Sequence, residues 1–181
     1  MIEGYIVKEK FDLCTTLCKE FIRENKIIIL AIGSFSINEY EYIFEIFNYT
    51  NLIFWNMEQI EAFIGEKNEL KKDTFEKVFK KLIPKDRLFV INDINEGIFV
   101  SKYDYRRNQI DFILQSFPNK IDNDSIVDFN GAHSALIGGF LSQFIKGESL
   151  FKCCKAGIEA LYVILHNKGC VFPKNMILDM N

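Results

Sequence analysis

The stretch Asp128-Phe-Asn-Gly-Ala-His-Ser134 gathers a carboxylate, an amide, a glycine, an imidazole and a hydroxyl. It runs straight into an apolar segment, Ala132 to Phe144, that reads as a helix. Backbone N–H groups of a glycine-bearing turn at a helix start converge on one point and favour an anion there. The nucleophilic chemistry is weaker. An unassisted serine hydroxyl does not ionise near neutral pH, so Ser134 is no general base. His133 titrates in the right range, but successive side chains diverge by roughly 100° around a helix start, which turns it from Ser134's position. A Ser–His pair is excluded on the same ground, and no G-x-S-x-G elbow is present.

Metal chemistry is also excluded. Cys14, Cys18, Cys153, Cys154 and Cys170 contain no C-x-x-C pair, and a site drawn from Cys153, Cys154, His166 and Cys170 lacks paired ligand spacing. Reduced thiols packed in a core are the expectation.

The elements that must position the Asp128–Ser134 turn are legible as alternating periods. A short apolar run, Tyr5 to Val7, reads as a strand. Phe11 to Arg23 follows as a helix with Leu13, Leu17 and Phe21 on its apolar face. Lys26 to Ile32 reads as a buried strand, Ser36 as the cap of a helix bearing Tyr40, Ile43, Phe44 and Phe47, and Leu52 to Trp55 as a strand. Asn56 opens a helix to about Ile64, and Lys71 to Leu82 is a charged helix ended by Pro84. Strand alternating with helix implies βαβ units and a mostly parallel sheet. Arg87–Asn92, Gly97–Ser101 and Ile110–Gln115 then read as consecutive strands forming an antiparallel patch, with Arg106 and Arg107 exposed in the loop between the last two. Two apolar helices, Ala132–Phe144 and Leu150–His166, complete one α/β domain over residues 1–181, with no repeat and no linker.

Composition agrees. The 181 residues are 49% apolar and 26% charged, which supports a packed core and argues against disorder. Twenty-two Lys and Arg against 25 Asp and Glu give a net charge of -3, no polyanion-binding balance. No apolar run reaches the roughly 18 to 20 residues of a membrane span, and charges at Glu3, Lys8, Glu9 and Lys10 interrupt any leader. The expected location is the cytoplasm, with no membrane partner.

Ile126 to Gln143 resembles the signature of the adenosine kinase branch of the ribokinase-like (PfkB) sugar and nucleoside kinases, D-T-N-G-A-G-D-A-F-x-G-G-F. The resemblance continues through Lys155-Ala-Gly157 and Gly169-Cys-Val-Phe-Pro173, and upstream through Gly4–Val7, Ile27–Ser34 and Leu52–Asn56. It implies a ribokinase-like, Rossmann-like fold with a mostly parallel sheet flanked by helices. It also implies an adenine nucleotide as the ligand, held if at all by Asn130, Gly131, Ala132 and His133. The chain corresponds to the C-terminal half of the family pattern, so the acceptor-substrate half is expected to be missing.

The motifs depart from the family where its chemistry sits. Phe129 stands for threonine, His133 for the second glycine, and Ser134 for the aspartate that accepts the substrate hydroxyl's proton. Losing a positioned base costs about 10²- to 10⁴-fold. The N-x-x-E motif that supports magnesium aligns with Asn56-Met-Glu-Gln59, where a neutral amide replaces the carboxylate, and T-x-G aligns with Asn92-Asp-Ile94. No catalytic residue, metal or obligatory cofactor is therefore expected. The expected role is an inactive kinase-like binding or inhibitory factor on a protein or ribonucleoprotein assembly, such as a ribosome dormancy factor. The alternatives are a nucleotide-binding regulator and a residual adenosine or sugar kinase. Tyr5, Ile6 and Val7, beside an edge the lost half would have covered, are the expected partner surface, with self-association as one form of cover. Arg106 and Arg107, with Lys71-Lys72 and Lys80-Lys81, are the candidates for RNA contact.

Overall fold

A computed structural model of the chain describes residues 1–33, 40–65, 73, 76–78, 85–93, 97–116 and 123–172. The elements are β1 (Ile2–Glu3), α1 (Gly4–Glu9), α2 (Phe11–Arg23), β2 (Ile29–Ala31), α3 (Tyr40–Phe47), β3 (Leu52–Asn56), α4 (Met57–Ile64), β4 (Arg87–Asp93), β5 (Gly97–Asp104), β6 (Gln109–Ser116), α5 (Ala132–Phe144) and α6 (Leu150–Leu165). The six strands form one sheet in the order β1-β2-β3-β4-β5-β6. β1 to β4 pair in parallel, with Ile2 opposite Leu30, Leu30 opposite Ile53, and Asn56 opposite Asn92. Each parallel step carries a helical crossover or a long connection, as parallel geometry demands. The four-residue turn Tyr105–Asn108, in contrast, returns the chain directly as a hairpin. The parallel-centred α/β sheet is as expected, and so are helices over Ala132–Phe144 and from Leu150.

The chain divides into two compact units. The first comprises 1–92 and 99–112. In it Ile53, Trp55, Phe89, Ile91 and Phe99 point to one face of the sheet and join Val7, Cys14, Cys18, Ile43, Phe47 and Phe63 from helices α1 to α4 in one core. Trp55 lies 5.8 Å from Phe47 and 5.5 Å from both Phe63 and Phe89, ring centroid to centroid. Such aromatic pairs add about 0.5–1.5 kcal/mol each beyond their area. Leu52, Phe54, Val90 and Val100, alternate along the strands, are buried as well. Strands apolar on both faces read as continuous runs, which is why Leu52–Trp55 was recognisable as a strand; of Lys26–Ile32 only Ile29–Ala31 is strand, and Ile27 is exposed.

The second unit comprises 93–98 and 113–172 of the described residues. Helices α5 and α6 pack against each other through two glycines. A Cβ on Gly139 would collide with the Ala156 carbonyl, and one on Gly157 would stand 3.0 Å from the Leu136 carbonyl.

Two expectations need correction. Tyr5-Ile6-Val7 is not a strand: it lies in α1, and the edge strand is Ile2–Glu3. Three apolar residues are too few to distinguish periods, and here Gly4 and Val7, one turn apart, form the buried side. Val7 is 0% exposed and belongs to the core, so it is no partner surface; Tyr5 and Ile6 are exposed. Likewise α2 buries Cys14, Thr15 and Cys18 while Leu13, Leu17 and Phe21 face outward. The two stripes have the same four-residue spacing and sit one residue apart. The thiols of Cys14 and Cys18 share one core with Val7, and periodicity alone cannot choose between such stripes. Ser36, most of Lys71–Leu82, and Pro84 lie outside the described residues.

Candidate nucleotide site

The loop before α5 is shaped by its own hydrogen bonds. The Val127 N–H donates to the Leu165 carbonyl at 2.8 Å, tying the loop to the end of α6. The Asp128 carboxylate then accepts from two backbone N–H groups, Asn130 at 2.9 Å and Gly169 at 3.0 Å. These bonds, the Asn130 one foremost, hold its carboxyl below the usual carboxylate range. Asp128 therefore joins the loop to the segment 167–170, and its charge is used in that joint.

Gly131 caps α5 with φ 79°, in the left-handed region that glycine adopts without strain. There is a second reason for glycine. A Cβ at this position would meet the Cys170 Sγ at 2.5 Å. From Gly131 the helix sets out with Ala135 N–H donating to the Gly131 carbonyl at 2.8 Å, and the N–H groups of the first turn point toward the helix start.

A pocket of about 440 Å³ opens at this helix start. It is lined by Gly131, Ser134, Ala135, Gly138, Gly139, Ile164, Cys170 and Phe172. The volume lies within the roughly 300–1,000 Å³ of small-molecule sites. Ser134 is exposed and on the pocket wall. His133 is turned away: it is half-buried, does not line the pocket, and its Nε2 has no hydrogen-bond partner among the described residues. Burial pushes its imidazole pKa down, so the ring is neutral near pH 7. Asn130 and Phe129 are exposed beside the turn, and Ala132 is buried. The consecutive glycines divide the work, Gly138 facing open pocket space and Gly139 the α6 backbone.

The other sequence-marked site lies in the first unit. Asn56 caps α4, accepting from the Gln59 N–H at 2.9 Å, while Gln59 Oε1 accepts from the Asn56 N–H at 2.9 Å. The Gln59 Nε2 donates to the carbonyls of Ile32 and Gly33, both at 2.7 Å. This amide is thus fitted to two converging acceptors where β2 ends. Arg106 and Arg107 are exposed in the β5–β6 turn, with Arg107 3.7 Å from Asp104. The lysine pairs 71–72 and 80–81 lie outside the described residues, as does Ile94; Asn92 ends the β4 register opposite Asn56.

Cys170, Phe172, Gly138 and Ile164 line the pocket without having been nominated from sequence. For the first three the signal was present, because the resemblance covers Gly169–Pro173 and the glycine pair of Ile126–Gln143. Among the described residues no cluster of three His, Cys, Asp or Glu could hold a metal, and no helix is long and apolar enough to cross a membrane.

Comparison with known proteins decides the family. Residues 24–175 match the model of the pfkB family carbohydrate kinases. The chain belongs to the PfkB family. Within it, 54 residues are 41% identical to adenosine kinase 2 of Arabidopsis thaliana, covering 30% of this chain and 16% of that enzyme. A longer match, 108 residues at 29% identity, is to 2-dehydro-3-deoxygluconokinase of Haemophilus influenzae, covering 60% of this chain and 31% of that enzyme. Among solved structures, adenosine kinase from Schistosoma mansoni in complex with 2-fluoroadenosine superposes with a TM-score of 0.77 at 18% identity, over 96% of this chain and 52% of that one. Adenosine kinase from Anopheles gambiae, in complex with P1,P4-di(adenosine-5) tetraphosphate, gives 0.73 at 22%, over 93% and 50%. This PfkB chain thus spans about half the length of the solved structures it matches, and shares their ribokinase-like fold.

Proposed function

We propose that this PfkB chain binds an adenine nucleotide at the α5 helix start without transferring its phosphate, and acts as a binding factor. The observation that carries this reading is Ser134. It occupies the wall of a pocket that keeps its glycine turn, yet its hydroxyl cannot take a proton from an acceptor near neutral pH. Gln59 supports the same reading, since its amide is committed to the Ile32 and Gly33 carbonyls and brings no negative charge for magnesium. Relatives crystallised with adenosine and AMP, or with a diadenosine tetraphosphate, support adenine as the base.

The experiment is isothermal titration with ATP, AMP and adenosine, run beside a coupled phosphorylation assay. Binding of ATP with no turnover is the expected result. Turnover of adenosine and ATP at ordinary kinase rates of about 1–100 per second overturns it. That outcome is the second reading, a residual adenosine or sugar kinase, and membership of a kinase family is what favours it.

The binding role is proposed toward a protein or ribonucleoprotein assembly in the cytoplasm, the ribosome in particular. Exposed Arg106 and Arg107 support RNA contact, although Asp104 offsets part of the Arg107 charge. Co-sedimentation with ribosomes that falls when Arg106 is replaced by Glu is expected; recovery only in the ribosome-free fraction overturns the ribosomal role.

A further inference from the structure

The outward stripe of α2 is self-complementary. Leu13, Leu17 and Phe21 are 56%, 36% and 39% exposed, and stand at equal four-residue intervals about Leu17. Leu17 is also the midpoint of the helix, Phe11–Arg23. The residues at its two caps are Lys10 and Glu24, both exposed and of opposite charge. At 100° per residue, Lys10, Leu13, Leu17, Phe21 and Glu24 fall within one stripe roughly 80° wide.

In an antiparallel pair of such helices related by a two-fold axis at Leu17, each residue lies opposite the one equally far on the other side. Leu17 then meets Leu17, Leu13 meets Phe21, and Lys10 meets Glu24, every pair occurring twice except the central one. The apolar residues pack along the middle and the charges close both ends. A parallel pairing would instead place Lys10 on Lys10 and Glu24 on Glu24, which is repulsive.

We propose that a second copy of this chain docks on this face, forming a two-fold dimer through antiparallel α2 helices. Tyr5 and Ile6 on α1 add further exposed apolar surface to the same unit. Isologous interfaces require this kind of self-complementarity, and two-fold dimers are the commonest assembly. The helix is only about 20 Å long, so the interface falls below the 1,200–2,000 Å² of stable complexes and the dissociation constant is on the order of 1–100 µM.

Sedimentation velocity on the full chain across about 1–200 µM reads the equilibrium directly. The unmodified chain is expected to shift from monomer to dimer across that range. Leu17→Glu, which sets two like charges on the axis, is expected to abolish the dimer; Leu17 is exposed, and an unchanged far-UV circular dichroism spectrum shows that the fold survives. Lys10→Glu and Glu24→Lys are each expected to weaken association about tenfold, because each acts at two symmetric places, and the double charge swap to restore it to within about threefold. A chain that stays monomeric throughout overturns the proposal and leaves the face to a different macromolecule. So does a dimer indifferent to Leu17→Glu, or single swaps that the double swap does not rescue.

Discussion

The side-chain amide of Gln59 holds the backbone carbonyl of Gly33 at 2.7 Å, joining the start of α4 to the end of β2. The same nitrogen donates to Ile32, so both amide hydrogens have an acceptor. A carboxylate here would face two carbonyl oxygens with nothing to donate. Gln59→Glu, although it recreates the family letter, is therefore expected to destabilise the chain by about 2–4 kcal/mol, the cost of a buried charge meeting unpaired acceptors. The sign with pH follows. The introduced acid has a raised pKa in the folded state, so the penalty is present at neutral pH and shrinks as pH falls and the acid protonates. Urea unfolding of both chains at pH 7 and pH 5 checks this; equal midpoints at pH 7 would show that the amide hydrogens contribute nothing.

Gly138 and Gly139 are neighbours with opposite expectations. Nothing lies within 4 Å of a Cβ built at Gly138, whereas one at Gly139 runs into the Ala156 carbonyl of α6. Gly138→Ala is expected to raise stability by up to about 1 kcal/mol through helix propensity. It should also weaken nucleotide binding, because its methyl enters the pocket. Gly139→Ala is expected to destabilise by about 1–3 kcal/mol, as overpacked helix contacts do. Thermal unfolding and ATP titration of the two variants separate the roles; the reverse order would mean that the glycine facing the pocket has been misassigned.

Much of this architecture was legible in advance for a physical reason. Buried parallel strands such as Leu52–Asn56 are apolar throughout, and a segment like Ala132–Phe144 is too apolar for a surface helix. Fully buried elements therefore announce themselves. The misreadings fell where burial is one-sided. In α2, Leu13-Leu17-Phe21 and Cys14-Cys18 have the same period, and only packing decides which faces inward. At Tyr5–Val7 the run was too short to reveal a period. In the candidate site, spacing marked Asn130 to Ser134 and Asn56 to Gln59. The 100° step at a helix start already turned His133 from Ser134, but spacing could not show that Gln59 is held by two carbonyls, because that depends on residues distant in sequence.

Cys170 offers a chemical reading of the pocket. It is exposed and lines the pocket, whereas Cys14, Cys18, Cys153 and Cys154 are buried. Burial pushes the thiol of Cys18 up to about 11 and that of Cys154 up to about 12, which leaves almost no thiolate at neutral pH. Iodoacetamide is therefore expected to modify Cys170 first, and saturating ATP to slow that reaction at least fivefold by occupying the pocket (about 1 kcal/mol of protection). Peptide mass mapping after limited alkylation measures both. Equal rates with and without ATP would count against nucleotide binding at this place.

Asp128 gives the pH dependence of the loop itself. Its carboxylate accepts from the Asn130 and Gly169 N–H groups, and those bonds hold its pKa below the ordinary value of about 3.9. A group whose folded pKa is depressed contributes stability that is fully present above its unfolded pKa. That contribution is lost as pH falls through the folded one. The contribution of Asp128 is therefore expected to be constant from pH 7 to about pH 5 and to fade below about pH 4. Asp128→Asn keeps the shape but turns one acceptor into a donor against an N–H, so the bonds to Asn130 and Gly169 cannot both be made. The variant is expected to unfold at lower urea concentration than the parent at pH 7, with the gap narrowing toward pH 3. A gap of the same size at both values would mean that the charge of Asp128 is not what fastens the loop. Because the loop carries Gly131 beside Cys170, the same variant is also expected to weaken ATP binding at pH 7 more than Phe129→Thr does, and calorimetry on the two compares them directly.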